Sequence, residues 1–301
     1  MAEELDELNK LFTSKNVEDV IKFYDHFDTA EQLIEWMRKR PSAPMKIYEV
    51  EGDKDIVVVI PTANHEGELA KNCANNIFKG QQIIFVESNG PFFNYARSCN
   101  YGLKHALNYN PKWVVLSNDD VYKTDGILKL KDGIEKINGN NYNVIWINGS
   151  VYHSSKVSFC SPTIFLGLYY KLNKFKNERY NIYKKYSANI FIRNLNKKFV
   201  SNLLFKPLVS FYSVGDFSIF NANFIRKKEK VFDENFINSE EDIYLSYILF
   251  KNKTETTKID FNVYSYIGKS LGLSNARNAR GIINDIYINS LIKMDFATKI
   301  I

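Results

Sequence analysis

The apolar positions of this chain change rhythm near residue 44. Before it they recur at helical spacing. In VEDVIKFYDHF, Val17, Val20, Ile21 and Tyr24 stand at i, i+3, i+4 and i+7, which predicts one apolar helix face. TAEQLIEWMRKR predicts a second helix, with Thr29 as N-cap and Gln32 three residues on as its capping-box partner. It stops at Arg38-Lys39-Arg40 before Pro41. After the RPSAP linker the apolar residues come in continuous β-branched runs. DIVVVIPTANH, QQIIFVESNG, KWVVLSNDDV and YNVIWINGSVY each read as a strand buried on both faces. The helical stretches GELAKNCANNIF, FFNYARSCNYGLKHALNYN and DGILKLKDGIEKIN alternate with them. Strand–helix alternation predicts the α/β class, a mostly parallel sheet with helices on both faces. Further on, GDFSIFNANFIRK reads as a strand and EKVFDENFINSEEDIYLSYILF as a loop entering a helix. KIDFNVYSYIG reads as a last strand and ARGIINDIYINSLIKM as a C-terminal helix. The expected organisation is an N-terminal helical extension (1–44), an α/β domain (45–275) with an excursion at 166–208, and a C-terminal helix (276–301).

Composition narrows the class without naming an activity. The 301 residues are 45% hydrophobic and 25% charged, ordinary for a globular protein able to bury a sizeable core. The net charge of +6 permits anionic partners without demanding them. Cys73, Cys99 and Cys160 form no Cys-x-x-Cys, which fits a reducing compartment and argues against structural zinc. MAEELDELNK lacks an apolar signal stretch, and no apolar run of membrane-spanning length occurs, so a cytoplasmic protein is expected. His26, His65, His105 and His153 show no metal-ligand spacing. There is no Gly-x-Ser-x-Gly elbow, phosphate-binding Gly-Lys loop or Gly-x-Gly-x-x-Gly, which disfavours hydrolase, P-loop and dinucleotide-binding readings.

Polar residues gather where the predicted strands end. Mostly parallel sheets bind ligands beyond the carboxyl ends of their strands. Thr62 and Asn64 follow the first strand, Glu87 ends the second, and Asp119 and Asp120 end the third. Asn-Asp-Asp is either a solvated Asx turn or a pair of hard oxygen ligands for Mg2+ or Mn2+ bridging a nucleotide's phosphates. A second acidic cluster comprises Asp233, Glu234, Glu240, Glu241 and Asp242. It reads either as helix-dipole capping, with Ser239 and Asp242 as a loose capping box, or as the source of a general base. Arg97 and Asn100 fall on the first turns of the helix after the second strand, where they suit either an anion site or a plain amphipathic surface.

In this order the stretches resemble the family 2 glycosyltransferases of GT-A fold, over roughly residues 55–275. VVVIPTANHEGEL is similar to the family's opening strand and Pro-Thr-x-Asn. IIFVESNG offers Glu87 at the end of the second strand, and YARSCNYGLKHA matches an Ala-Arg-Asn-x-Gly helix through Arg97, Asn100 and Gly102. VVLSNDDV puts Asp119 at the second carboxylate of Asp-x-Asp, and VFDENFINSEED supplies Glu241 and Asp242. The resemblance implies a Rossmann-type mixed, mostly parallel sheet flanked by helices. It also implies inverting transfer from a nucleotide-diphospho-sugar donor to a glycan, lipid-linked or protein acceptor. By the same resemblance Pro61, Thr62, Asn64, Glu66, Glu87, Arg97, Asn100 and Asn118 bind the donor nucleotide. Asp119 and Asp120 hold Mg2+ or Mn2+, and Asp242 is the base with Glu241 its nearest competitor. The chain departs from the family pattern at Ser117, where the first aspartate would stand, and at Ser265, where a histidine often stands. It departs also at Tyr244 and Tyr247, after the acidic pair.

From Gly167 to Leu208 ten Lys or Arg face one acid, Glu178, with Tyr, Phe and Leu interleaved. This segment reads as a solvated helical excursion or as a surface on an anionic membrane, where each cation contributes about 1 kcal/mol. A nucleic-acid surface is disfavoured. Two rival functions stand beside the transferase. One is a sugar nucleotidyltransferase, which would want a glycine-rich basic loop that PTANHEGEL lacks. The other is a degenerate, non-catalytic sugar or nucleic-acid binder, which Ser117 and Ser265 keep in play.

Overall fold

The computed structural model describes residues 2–137, 141–147, 155–171, 174–194, 203–213, 215, 217–266 and 274–297. His153 and parts of the basic segment, 172–173 and 195–202, lie outside the described residues. The strands are β1 (Lys46–Val50), β2 (Asp53–Thr62), β3 (Gln81–Glu87), β4 (Trp113–Ser117), β5 (Val121–Thr124) and β6 (Val144–Ile147). They continue as β7 (Ser155–Pro162), β8 (Phe191–Asn194), β9 (Phe205–Ser213), β10 (Phe217–Asn221), β11 (Thr256–Ile259) and β12 (Val263–Ser265).

A seven-stranded sheet in the order β1-β3-β2-β4-β10-β6-β11 forms the centre. β3, β2 and β4 run parallel, and β11 runs parallel to β6. β10 is antiparallel between β4 and β6, and β1 is antiparallel on the far edge. The protein is therefore mixed α/β with a mostly parallel central sheet between helical layers, as the alternation predicts.

β2 shows why its run is apolar without alternation. Every residue from Ile56 to Thr62 is buried. Ile56, Val58 and Ile60 pack with Ala70, Cys73, Leu130 and Ile134 on one face. Val57 and Val59 pack on the other with Ala96, Cys99 and Leu103 of helix Tyr95–Ala106 and with Leu245 and Leu249 of helix Glu241–Lys251. Successive strand residues point to opposite faces, so a sheet covered on both sides wants apolar side chains at every position. Gly102 sets the helix-to-sheet distance. A Cβ there would stand 2.4 Å from Val59 Cγ1 and 2.7 Å from Val86 Cγ2.

The N-terminal helices Ala2–Thr13, Val17–Phe23 and Ala30–Lys39 share a third core with the C-terminal helix Asn275–Phe296 and the small antiparallel sheet β8-β7-β9. The Tyr24 hydroxyl donates to Ala279 O at 2.7 Å, and Tyr186 donates to Phe27 O at 3.0 Å. The Thr29–Gln32 capping box forms as predicted.

Two expectations need correction. The basic aromatic segment is not a solvated helical excursion: Tyr170, Tyr183, Tyr186, Phe191 and Phe205 are buried in the third core while lysines such as Lys184 and Lys185 stay exposed. KIDFNVYSYIG is not one strand. It breaks after β11, where the Asp125 carboxylate accepts from Asn262 N and Nδ2, both at 2.9 Å, and β12 then pairs with β5 in a separate ladder.

Candidate active site

The carboxyl ends of β2, β3 and β4 open onto a cavity of about 550 Å3. Pro61, Thr62, Asn64, Asn118 and Asp119 line it, with Ser88, Gly90, Phe93 and Tyr95 across from them. Local hydrogen bonds make the β2 end turn sharply. Thr62 Oγ1 accepts from Asn64 N at 3.2 Å, and Asn64 Oδ1 accepts from Glu66 N at 3.0 Å. The residue between them, His65, is clamped from two sides. Its ring stacks on Tyr48 of β1, with centroids 3.4 Å apart and planes at 8°. Glu87 Oε2 accepts from His65 N at 3.0 Å and lies 2.6 Å from Nδ1, so Nδ1 carries the proton. Those bonds hold the Glu87 carboxyl below its usual range. Glu87 thus fixes the loop at the cavity rim, and Glu66 is exposed on that loop.

The acid pair is buried: Asp119 is 8% exposed and Asp120 4%. Thr62 Oγ1 donates to Asp119 Oδ2 at 2.7 Å. Burial pushes the Asp119 carboxyl above its usual range, and the Thr62 bond only partly opposes this. Beneath the pair, the Cys73 thiol is pushed up to about 12, first by burial and then by the charges of Asp119 and Asp120. Ser117 is fully buried and donates to Asn118 O at 3.0 Å, a backbone role in place of a carboxylate. Ser265 ends β12 beside this site, and Tyr266 N donates to Asp120 O at 3.0 Å. Two adjacent, desolvated carboxylates form a hard-oxygen donor set that fits Mg2+ or Mn2+ held by one or two protein ligands and completed by substrate phosphates. Among the described residues no group of three or more His, Cys, Asp or Glu could cage a metal without such oxygens.

The second acidic cluster sits on a strained loop. Asn238 (φ 51°) and Glu240 (φ 73°) are both left-handed without being glycine. Asn238 holds the loop to the start of helix Tyr95–Ala106, donating to Phe93 O at 2.9 Å and accepting from Tyr95 N at 2.8 Å. Asn284 holds its other side, exchanging bonds with Ile237 N at 2.8 Å and Ile237 O at 3.0 Å. Glu240 is the N-cap of helix Glu241–Lys251, no side chain caps it, and the Ser239–Asp242 capping box does not form. Glu241 is buried with Oε2 unpartnered. Its carboxyl is pushed up to about 8, first by burial and then by the Asp242 charge. Asp242 is half-buried and accepts from Ser213 Oγ at 3.4 Å.

Helix Tyr95–Ala106 joins the two clusters. The Tyr95 hydroxyl donates to Asn118 Oδ1 at 2.7 Å at the cavity, while Cys99 one turn on lies in the field of Glu241 and Asp242. Tyr95 and Phe93 were not among the sequence candidates. Their signal was two aromatics at the mouth of a helix that follows a sheet strand.

Other candidates lie elsewhere. Asn100 is buried with its amide committed to the 231–234 loop. It accepts from Val231 N at 3.0 Å and Phe232 N at 2.9 Å, and donates to Phe232 O at 2.8 Å and Glu234 Oε1 at 3.0 Å. Arg97 lines a different cavity of about 610 Å3 with Arg38, Lys228 and Lys230. Asp233 and Glu234 serve as scaffold: Asp233 accepts from Tyr287 at 2.7 Å, and Glu234 pairs with Lys230 at 2.7 Å. No protein-family model matches the chain, and no curated protein matches its sequence.

Proposed function

We propose that this chain is an inverting glycosyltransferase that moves a sugar from a nucleotide-diphospho-sugar donor to an acceptor hydroxyl. One observation carries the reading: desolvated Asp119 lines the strand-end cavity with buried Asp120 next to it in the chain, and the helix that begins at Tyr95 links that cavity to a second carboxylate pair, Glu241–Asp242. The nucleotide lies between the Pro61–Asn64 turn and the Ser88–Phe93 loop, where Phe93 and Tyr95 offer rings and Asn64 and Asn118 offer amides. Mg2+ or Mn2+ held by Asp119 and Asp120 would neutralise charge on the departing diphosphate. Thr62 orients Asp119 through its hydroxyl. Glu241 keeps its proton to about pH 8, which leaves the base role to Asp242. Asp242 takes the acceptor's proton as the acceptor oxygen attacks the anomeric carbon from the face opposite the leaving group, which inverts that centre.

The test is release of nucleoside diphosphate from a panel of nucleotide sugars with Mn2+ and with EDTA. The expected result is turnover of one donor that EDTA abolishes, with an inverted anomeric signal in the product by NMR. Tight donor binding without turnover would identify a non-catalytic binder instead. Neither binding nor turnover of any donor would overturn the reading.

We also propose contact with an anionic membrane surface, as befits a lipid-linked acceptor. Helix Ile164–Lys171 leaves Ile164 83% and Leu168 62% exposed, with Phe165, Tyr169 and Leu203 exposed as well. Lys171 ends that helix, and Lys206, paired across from Ser161, is exposed near its start. An apolar face with a cationic rim suits lipid headgroups. No described helix is long and apolar enough to cross a membrane.

A further inference from the structure

A cavity of about 430 Å3 adjoins the strand-end cavity, sharing Gly90 and Phe93 as a common wall. Three arginines line it: Arg179 from helix Lys174–Lys185, and Arg277 and Arg280 from the first turns of helix Asn275–Phe296. Nothing in the mechanism above uses them. We infer that this cavity binds an anionic group, a phosphate or a carboxylate, carried by the acceptor. The word acceptor rests on the glycosyltransferase reading, whereas the anion site does not.

The charges argue for it. Arg277 and Arg280 stand at i and i+3, on the same side of their helix. Both guanidinium groups are held below their usual range by burial, and Arg280 further by its neighbour Arg277. Like charges gathered out of water favour an anion between them. Among the described residues that line the cavity, three arginines outnumber two acids, Glu240 and Asp285. The Asp285 carboxylate is engaged by Arg179 at 3.0 Å and by the Tyr183 hydroxyl. Burial, and next the Asp285 charge, push the Glu240 carboxyl well above its usual range. Glu241, whose field Arg277 feels, stays protonated to about pH 8. Arg280 donates from Nη1 to Ser14 O at 2.9 Å and, more weakly, to Phe12 O at 3.5 Å, neither of which neutralises its charge. A guanidinium fork suits the oxygens of phosphate and carboxylate alike. Position supplies the rest: the field of Arg277 reaches Glu241, next to the proposed base, so an anion held here belongs to the molecule whose hydroxyl Asp242 deprotonates.

The larger basic cavity beside Arg97 makes a weaker case. Lys230 there is paired with Glu234, Arg40 is tied to Glu234 O and Phe236 O, and neither acid pair adjoins it.

The experiment titrates the full-length chain with inorganic phosphate and, separately, with glucuronate, in EDTA at pH 7 and low salt, by calorimetry. At least one probe is expected to bind, and which one does separates a phosphate-bearing from a carboxylate-bearing acceptor. Arg277→Gln and Arg280→Gln are each expected to weaken binding about tenfold or more. Arg277→Lys, which keeps the charge but loses the fork, should fall between, and Arg38→Gln should match the parent chain. Melting curves confirm that each variant is folded, and if Arg280→Gln unfolds, the Arg277 pair decides. Failure of both probes to bind, or binding indifferent to Arg277 and Arg280, overturns the inference. Donor turnover without anion binding would sink this site and leave the transferase standing. Arginine-dependent anion binding without turnover of any donor would do the reverse.

Discussion

Burial disfavours the charged form of Asp119, and against that burial stands a hydrogen bond from Thr62 to its Oδ2. Such a group costs stability in the free protein and is useful only when a cation and phosphates arrive. In Asp119→Asn the amide oxygen still accepts from Thr62 while the disfavoured charge is gone. The variant should melt at a higher temperature than the parent chain, yet lose metal-dependent donor turnover by about 100-fold or more. A lowered melting temperature or undiminished turnover at saturating Mn2+ would sink the role given to Asp119. Glu241 makes a pH argument. Its carboxyl rises from its ordinary 4.5 to about 8 on folding, so between those values the folded chain binds a proton that the unfolded chain has lost. This contribution is harmless below pH 4.5, and stability then falls as pH rises to about 8. Glu241→Gln should flatten that loss, which is on the order of a few kcal/mol, in urea unfolding at pH 5, 7 and 9. Asp242→Asn should instead leave donor affinity intact while transfer collapses. At this scale Thr62, Asn64, Asn118 and Asp119 were readable because a strand end fixes where the next residues go. Arg97 and Asn100 were not, because a helix turns about 100° per residue. Tyr95 faces the cavity, and Arg97, two residues on and about 200° around the same helix, faces away.

Helix Tyr95–Ala106 must lie almost on the strands to carry Tyr95 to Asn118, and Gly102 allows it. Alanine would gain up to about 1 kcal/mol of helix propensity at this position. Its Cβ, however, would press into Val59 and Val86, both of which are fully buried. Overpacking of this kind costs about 1–3 kcal/mol, so Gly102→Ala should be a net loss in urea unfolding and should weaken donor binding as the helix mouth shifts. Adding Val59→Ala, which removes the nearer clash, should recover part of the loss in a double-mutant cycle. Strictly additive effects would show that the clash does not set the helix position. Local signals served elements well, as the Thr29–Gln32 box shows. Long-range pairing did not show. β7 pairs with β9 across the intervening basic segment, and the edge strand β1 pairs backward onto β3, so neither partner lies within a readable window.

At the scale of the molecule, the parallel centre was readable from its β-branched runs, whereas the third core was not. Its helices come from both chain ends and from the basic segment, its sheet from strands before, within and across the end of that segment, and no periodicity links stretches so far apart. Seeing that core changes the meaning of the basic segment. Most of its rings are inside, so the apolar side chains left outside on helix Ile164–Lys171 call for an explanation of their own. Burying Ile164 and Leu168 in a bilayer interface is worth roughly 1.5–3 kcal/mol each, and Lys171 and Lys206 add about 1 kcal/mol each on an anionic surface. The apolar term is the larger, so salt should weaken binding without abolishing it, since screening acts on the lysines alone. Vesicles of anionic phospholipid should sediment the parent chain at low salt and still retain part of it at about 1 M salt, where the Debye length is only about 3 Å. The double variant Ile164→Ser, Leu168→Ser should lower partitioning at least about tenfold with an unchanged melting temperature, because both side chains lie outside the core. Lys171→Gln with Lys206→Gln should lower it less and remove most of the salt dependence. If the chain stays in the supernatant at low salt, or if the serine variant sediments like the parent, this face is not the one that meets the membrane.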